Sequence, residues 1–319
     1  MQPGQTDDGR VARYQLNAKT QQVQFNYRSS DFMKFLWKRN TVHVHTNGNE
    51  YASTQASYAC NAYAISETGP TRNSNEDSIY HTYPDGDARN FFGIVADGMG
   101  GHEAGEIASR IACDTTQPFI RNHPTERNIP VLLKECIHAA QAAILEAAEG
   151  NPSYTGMGTT ATMIYIRDGN MFFAHIGDSR LYHFRDNKMT QVTTDNTLVN
   201  EMVKEGKITE AEALTHDMKH VLTQALGSVR EIVPEVASEG VNIQPGDIFF
   251  LCSDGIYDVL QPGEIESLLK MNSPALTMEC IKSLCTQRNA SDNFSAILVE
   301  VTTEQQLRIP VTKELNTML

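Results

Sequence analysis

Four stretches of this 319-residue chain set an aspartate against an apolar, strand-like run: FFGIVADGMGGHEAGE (91–106), HIGDSR (175–180), FFLCSDG (249–255) and ASDNFSAILVEV (290–301). A single Asp-Gly at a strand end is ordinary turn chemistry. Repetition changes the reading, because Asp97, Asp178, Asp254 and Asp292 could all meet at one edge of a sheet structure. Clustered carboxylates repel one another and raise each other's pKa unless a cation neutralises them. The chemistry these residues suggest is metal-centred.

Such a cluster needs strands that end together. FFGIVAD, ATMIYIRDGNMFFAHIGDSRLYHFRDNKMTQVT (161–193), DIFFLCSD (247–254) and SAILVEV (295–301) read as strands. The turn signals RDGN and RDNK make the 161–193 block look like one antiparallel meander. Helices lie between the strands. In IPVLLKECIHAAQAAILEAAEG (129–150), Leu133, Ile137, Ala140 and Ile144 form one stripe, which Gly150 and Pro152 end. GHEAGEIASRIACDTTQPFI (101–120) and SPALTMECIKSLCTQR (273–288) read as two more amphipathic helices, the second with a serine cap at Ser273 followed by Pro274. Runs of strands with segregated helices predict an α+β layered domain rather than alternating βαβ units.

Bulk properties narrow the function. A length of 319 residues with 40% apolar content supports a substantial core. A formal charge of −13 argues against a nucleic-acid partner, which would need a positive footprint. Residues 1–58 carry +3 and the remainder −16, so a weakly basic arm precedes an acidic body. There is no run of about 18 apolar residues to span a bilayer, and MQPGQTDDGR lacks a secretory signal's charged start and apolar stretch. The expectation is a cytoplasmic protein with no membrane partner. Six scattered cysteines without a CxxC pair read as free thiols in a reducing compartment. Within the arm, 20–30 and 40–48 could be short strands and 31–40 a helical turn or two. The pair His43 and His45 reads as strand alternation rather than a metal site.

One more acidic motif lies upstream, TGPTRNSNEDSIY (68–80). Taken in order with VADGMGGHEAGE, GMGTTAT, HIGDSRLY, LCSDGIYD and SDNFSAILV, it resembles the metal-dependent type 2C protein serine/threonine phosphatase family, bacterial-type members in particular. The resemblance covers about residues 59–303, with 1–58 as an extension and 304–319 as a tail. It implies a four-layer αββα sandwich, two stacked antiparallel sheets flanked by helices, and a metal cluster in a cleft at one end. It also implies the reaction, hydrolysis of phosphoserine and phosphothreonine in proteins made by a cognate kinase, with a monomer as the expected form.

Carried over residue by residue, Asp97 would bridge two metals, the Gly98 carbonyl would join it, and Asp254 and Asp292 would complete the first metal. Glu76 and Asp77 would serve the second metal, partly through water. Asp178 with Asp254 would hold a third, weaker ion, and Arg72 would clamp the substrate phosphate. An all-oxygen set suits Mn²⁺ or Mg²⁺ over zinc. Two such ions can activate a bridging water as nucleophile, with no phosphoenzyme, and a guanidinium grips a phosphate dianion with two prongs. His102 either protonates the leaving oxygen or hydrogen-bonds a ligand carboxylate. Arg180 reads as a loop brace paired with an acid, and GMGTT as a tight turn. Segment 195–227 resembles the family's mobile flap, with spacing and charge that fit a substrate-selecting lid. The alternatives are a pseudophosphatase that binds phosphoproteins, and a metal-dependent hydrolase of small phosphoesters or nucleotides.

Overall fold

The unbroken apolar runs become strands covered on both faces. Along Phe91–Ala96, Phe92, Ile94 and Ala96 point into one core while Phe91 and Val95 point into another, the two-residue period of an extended chain. Ile248–Cys252 does the same, with Ile248, Phe250 and Cys252 on one side and Phe249 and Leu251 on the other. An antiparallel sheet with one wet face would alternate apolar and polar residues. These strands do not alternate because two sheets stack on each other and helices cover both outer faces.

A computed structural model describes residues 14–16, 23–25, 58–100, 104–123, 126–228, 230–271 and 273–303. The chain divides into two units, Met1–Thr54 and Gln55–Leu319. In the first, Tyr14–Leu16 pairs antiparallel with Val23–Phe25. A strand expected within 20–30 is thus present over three residues, while 31–40 and 40–48, with His43 and His45, lie outside the described residues.

The second unit holds the two sheets. In the five-stranded sheet the spatial order is Lys188–Gln191, Arg180–Arg185, Ile248–Cys252, Phe294–Thr303 and Tyr58–Glu67. The six-stranded sheet runs Glu235–Val236, Asn170–Ile176, Ala161–Arg167, Phe91–Ala96 and Ser78–Thr82, with Val241–Asn242 also on Asn170–Ile176. Every pairing is antiparallel. Helices Ala104–Asn122 and Ile129–Gly150 cover the six-stranded sheet. Asp254–Tyr257, Pro262–Leu269 and Pro274–Gln287 cover the other. Layer by layer this is the αββα sandwich, and Leu133, Ile137, Ala140 and Ile144 are fully buried as the stripe requires. Ser273 occupies the position before Pro274, but its side chain makes no capping hydrogen bond.

The 161–193 block is not one meander. It is two hairpins in opposite sheets, turned by Asp168-Gly169 and Asp186-Asn187, all four at positive φ, as two-residue turns of this kind require. Between the hairpins, Gly177-Asp178-Ser179 carries the chain from one sheet to the other. Gly177 sits at φ +108°, and a Cβ there would lie 2.6 Å from the Thr160 side chain. Gly177→Ala is therefore expected to cost about 2 kcal/mol, read as a lower denaturant midpoint at unchanged slope. A wild-type midpoint would show that this crossover is not strained.

All six cysteines are free thiols, five of them buried. Among the described residues, no helix is long and apolar enough to cross a membrane.

Candidate active site

Each acid singled out by type and spacing sits where a strand ends or begins, at one end of the stacked sheets. Asp97 follows Phe91–Ala96, Asp254 follows Ile248–Cys252 and opens a one-turn helix, and Asp292 precedes Phe294–Thr303. Asp178 lies on the crossover, and Arg72, Glu76 and Asp77 lie on the loop between Tyr58–Glu67 and Ser78–Thr82. The structure brings the five aspartates together. Burial pushes the Asp97 carboxyl well above the usual range, and the charges of Asp77, Asp254, Asp178 and Asp292 push it further. Burial likewise raises Asp77 and Asp178, each helped by the charge of Asp254, and raises Asp292. Glu76 is raised by burial too, with Arg72 opposing.

The backbone around Asp97 is held on both sides. Its amide donates to Thr160 Oγ1 at 2.9 Å, and its carbonyl accepts from Thr159 Oγ1 and from the Thr160 amide, both at 2.8 Å. GMGTT therefore does more than turn the chain: its threonines orient Asp97. Gly98 is packed so tightly that a Cβ would lie 2.2 Å from the Gly105 carbonyl oxygen and 2.5 Å from that of Glu76. The lack of a side chain lets the Asp97-Gly98 backbone close against the Ala104–Asn122 helix and the Glu76 loop.

Several contributors carry no signal in the acid pattern. Asn293 is buried; its amide group donates to the Thr68 and Ser74 carbonyls and accepts from the Glu76 amide. It thereby holds the loop that bears Arg72, Glu76 and Asp77. Ser253 occupies the cap position of the Asp254 turn, yet its hydroxyl donates to Asp77 Oδ2 at 2.8 Å instead. His220, in the 195–227 segment, places Nδ1 3.6 Å from Asp254 Oδ2 and Nε2 3.4 Å from Asp258 Oδ2. That segment folds as two short helices, Leu198–Lys204 and Glu210–Ala213, followed by a return past the site. Arg180 pairs with Asp195 at 2.7 Å, the loop brace its motif suggested. His102 lies outside the described residues.

The donor set fits divalent cations. Asp254 Oδ1 is buried with no hydrogen-bond partner among the described residues, which is costly unless a cation meets it. Among the described residues, the cations that reach the cluster are Arg72, 2.6 Å from Asp292 Oδ2, His220 at Asp254, and Arg180, whose charge acts on Asp178. Five carboxylates with little opposing charge suit a hard metal rather than a thiolate-seeking one. Arg72, with its side chain partly in solvent, can offer its remaining donors to an incoming phosphate.

Comparison with known proteins agrees. Residues 71–307 match the family described as Protein phosphatase 2C. The chain is 33% identical over 238 residues to the serine/threonine protein phosphatase PstP of Mycobacterium tuberculosis, covering 75% of this chain but 44% of that one. It is 32% identical over 243 residues to the protein phosphatase PhpP of Streptococcus pneumoniae, covering 75% and 97%. A crystal structure of the catalytic domain of PstP in complex with two manganese ions superimposes with a TM-score of 0.68 at 31% identity, covering 77% of this chain and all of that one.

Proposed function

The chain belongs to the protein phosphatase 2C family, and on that premise we propose that it hydrolyses phosphoserine and phosphothreonine in proteins, using a metal-activated water and no phosphoenzyme. The observation that carries this is the convergence of Asp77, Asp97, Asp178, Asp254 and Asp292 beside Arg72, with a buried Asp254 oxygen left for a cation. Asp97, the Gly98 carbonyl, Asp254 and Asp292 would hold one ion, Asp97 with Glu76 and Asp77 a second, and Asp178 with Asp254 a weaker third. When bound, Mn²⁺ or Mg²⁺ lowers the pKa of a water and offsets the charge on the phosphoryl oxygens.

The chain's own residues do the rest. Thr159 and Thr160 fix the backbone of Asp97, so its carboxylate needs little reorganisation when the reaction begins. Asn293 pins the loop that carries Arg72. Arg72 binds the phosphate and orients phosphorus towards the acid cluster, and His102 either supplies the proton that the leaving seryl or threonyl oxygen takes or hydrogen-bonds a ligand carboxylate. The segment 195–227 borders this cleft as a lid. In this reading the substrates are phosphoproteins of a cognate serine/threonine kinase in the cytoplasm, and the chain acts as a monomer. A pseudophosphatase is disfavoured because every acid of the set is present.

The test is phosphate release from a phosphothreonine peptide with Mn²⁺, Mg²⁺ or EDTA, set beside nucleotides as substrates. Release that needs the metal and prefers the peptide is expected. Release from nucleotides alone would make the protein a small-phosphoester hydrolase, and no release from folded, metal-loaded protein would leave a binding role.

A further inference from the structure

Asp178 and Asp254 flank one rung of the five-stranded sheet: Asp178 lies on the crossover two residues before Arg180, which pairs with Cys252, and Asp254 lies two residues beyond Cys252. They repel each other, and beyond that rung a further contact ties the crossover of one to the turn of the other. That contact is made by neither carboxylate. Tyr257 lies three residues beyond Asp254 on the turn Asp254–Tyr257, a spacing that puts both on one side of it. Its hydroxyl donates to the Asp178 carbonyl at 3.1 Å. Its ring is covered by the Arg180 guanidinium, whose Cζ lies 3.5 Å from the ring centroid, a cation–π contact.

Arg180 is itself immobilised. Nε and Nη2 donate to Asp195 Oδ2 at 3.0 and 2.7 Å, and Nη1 donates to the Tyr182 hydroxyl at 3.1 Å. On the other side of Asp178, the Gly177 amide donates to Asn196 Oδ1 at 2.9 Å and its carbonyl accepts from the Asn196 amide at 2.7 Å. The backbone around Asp178 is thus gripped at 177, 178 and 180, and the grip at 178 is a direct hydrogen bond from the Asp254 turn. The root of the 195–227 segment closes the same frame through Asp195 and Asn196.

Building on the phosphatase reading above, we propose that Tyr257 is a positioning residue: it fixes the spacing of Asp178 and Asp254 and so sets the affinity of the weaker divalent cation they share, with Arg180 holding its ring in place. Hydrogen-bonded partners behind metal ligands commonly govern affinity in this way. The hydroxyl and the ring have separable roles. Tyr257→Phe removes the link to Asp178 and keeps the stack with Arg180, whereas Tyr257→Leu removes both.

Mn²⁺ binding to the metal-stripped full chain, counted by the electron paramagnetic resonance of free Mn²⁺, tests the assignment. The wild type should take up two ions tightly and one weakly. Tyr257→Phe should weaken the weak site about tenfold, leaving the two tight ions and the Tm unchanged, and Tyr257→Leu should weaken it further. Asp178→Asn marks what outright loss of that site looks like. A wild-type titration curve in Tyr257→Phe overturns the proposal, as does a wild type that saturates at two ions. Equal weakening of every ion with a lowered Tm also overturns it, because that is the mark of a merely structural tyrosine. A wild type that binds no Mn²⁺ overturns the phosphatase reading, and this assignment with it.

Discussion

Asp97→Asn is expected to lower metal-dependent release of phosphate from a phosphothreonine peptide on the order of a thousandfold, while making the metal-stripped protein more stable. The two signs have one cause. Asp97 is buried among four other aspartates whose charges all oppose its own, so it is the shared member of the cluster. Losing its charge removes several kcal/mol of metal-supported stabilisation of the transition state, and each 1.36 kcal/mol is about tenfold in rate. Without metal, the same substitution deletes repulsion and keeps the shape of the side chain, a familiar exchange of stability against activity. A rise in Tm of about 3 °C would correspond to about 1 kcal/mol. Retained activity would remove Asp97 from the metal site. A fall in metal-free Tm would show that its hydrogen bonds matter more than its charge.

The second large effect lies at the opposite kind of carboxylate. Asp247 is fully buried and well paired: Arg185 donates through Nε and Nη2, each at 2.6 Å, and the Gln244 amide donates at 2.9 Å. His183 Nε2 stands 3.2 Å away. Burial opposes ionisation here, but the hydrogen bonds from Arg185 and the Gln244 amide, with His183 close by, outweigh it and bring the carboxyl down to about 2. Asp247→Asn leaves Arg185 without its anion and should cost about 3 kcal/mol at pH 7. The pH dependence has a fixed sign. Because the folded pKa is below the unfolded value of about 4, the stabilisation is complete above about pH 4 and is lost as pH falls towards 2. Urea unfolding of both proteins at pH 7 and pH 3 should show the gap narrowing by about 1 kcal/mol at the lower pH. An equal gap at both would mean that the loss comes from packing rather than charge.

Asp247 and Asp97 also show what could be seen in the chain beforehand. Asp97, Asp178, Asp254 and Asp292 announced themselves because each interrupts an apolar run, and Arg72 with Glu76 and Asp77 because the motifs fall in order. The layered α+β class followed from runs of strands with segregated helices, and the four-layer order from the family resemblance. Less visible was the fate of 161–193: both hairpins were legible from Asp-Gly and Asp-Asn, but nothing in local turn chemistry says that consecutive hairpins join different sheets. Thr159, Thr160, Ser253 and Asn293 were invisible for a related reason. They act on backbone groups far away in sequence, and a hydroxyl or amide aimed at a distant carbonyl has no periodicity. Tyr257 reads as an ordinary apolar residue in LCSDGIYD until its hydroxyl is found on Asp178. The expected cap at Ser273 marks the limit of local rules, since the residue takes the position without making the bond.

The pairing of Phe294–Thr303 with Tyr58–Glu67, from Phe294 opposite Glu67 to Thr303 opposite Tyr58, bears on how the protein comes into being on the ribosome. Among the described residues, Tyr58–Glu67 stands at the edge of its sheet paired with this strand alone, so it must wait for a partner made far later in the chain. Such distant pairing is slow, and it leaves apolar surface waiting in the meantime. Asp292 and Asn293 emerge immediately before that partner strand, and Asn293 pins the loop of Arg72. A nascent chain halted anywhere short of them would carry most of its acids and none of its site. The site should therefore assemble all at once, when Phe294–Thr303 closes on Tyr58–Glu67.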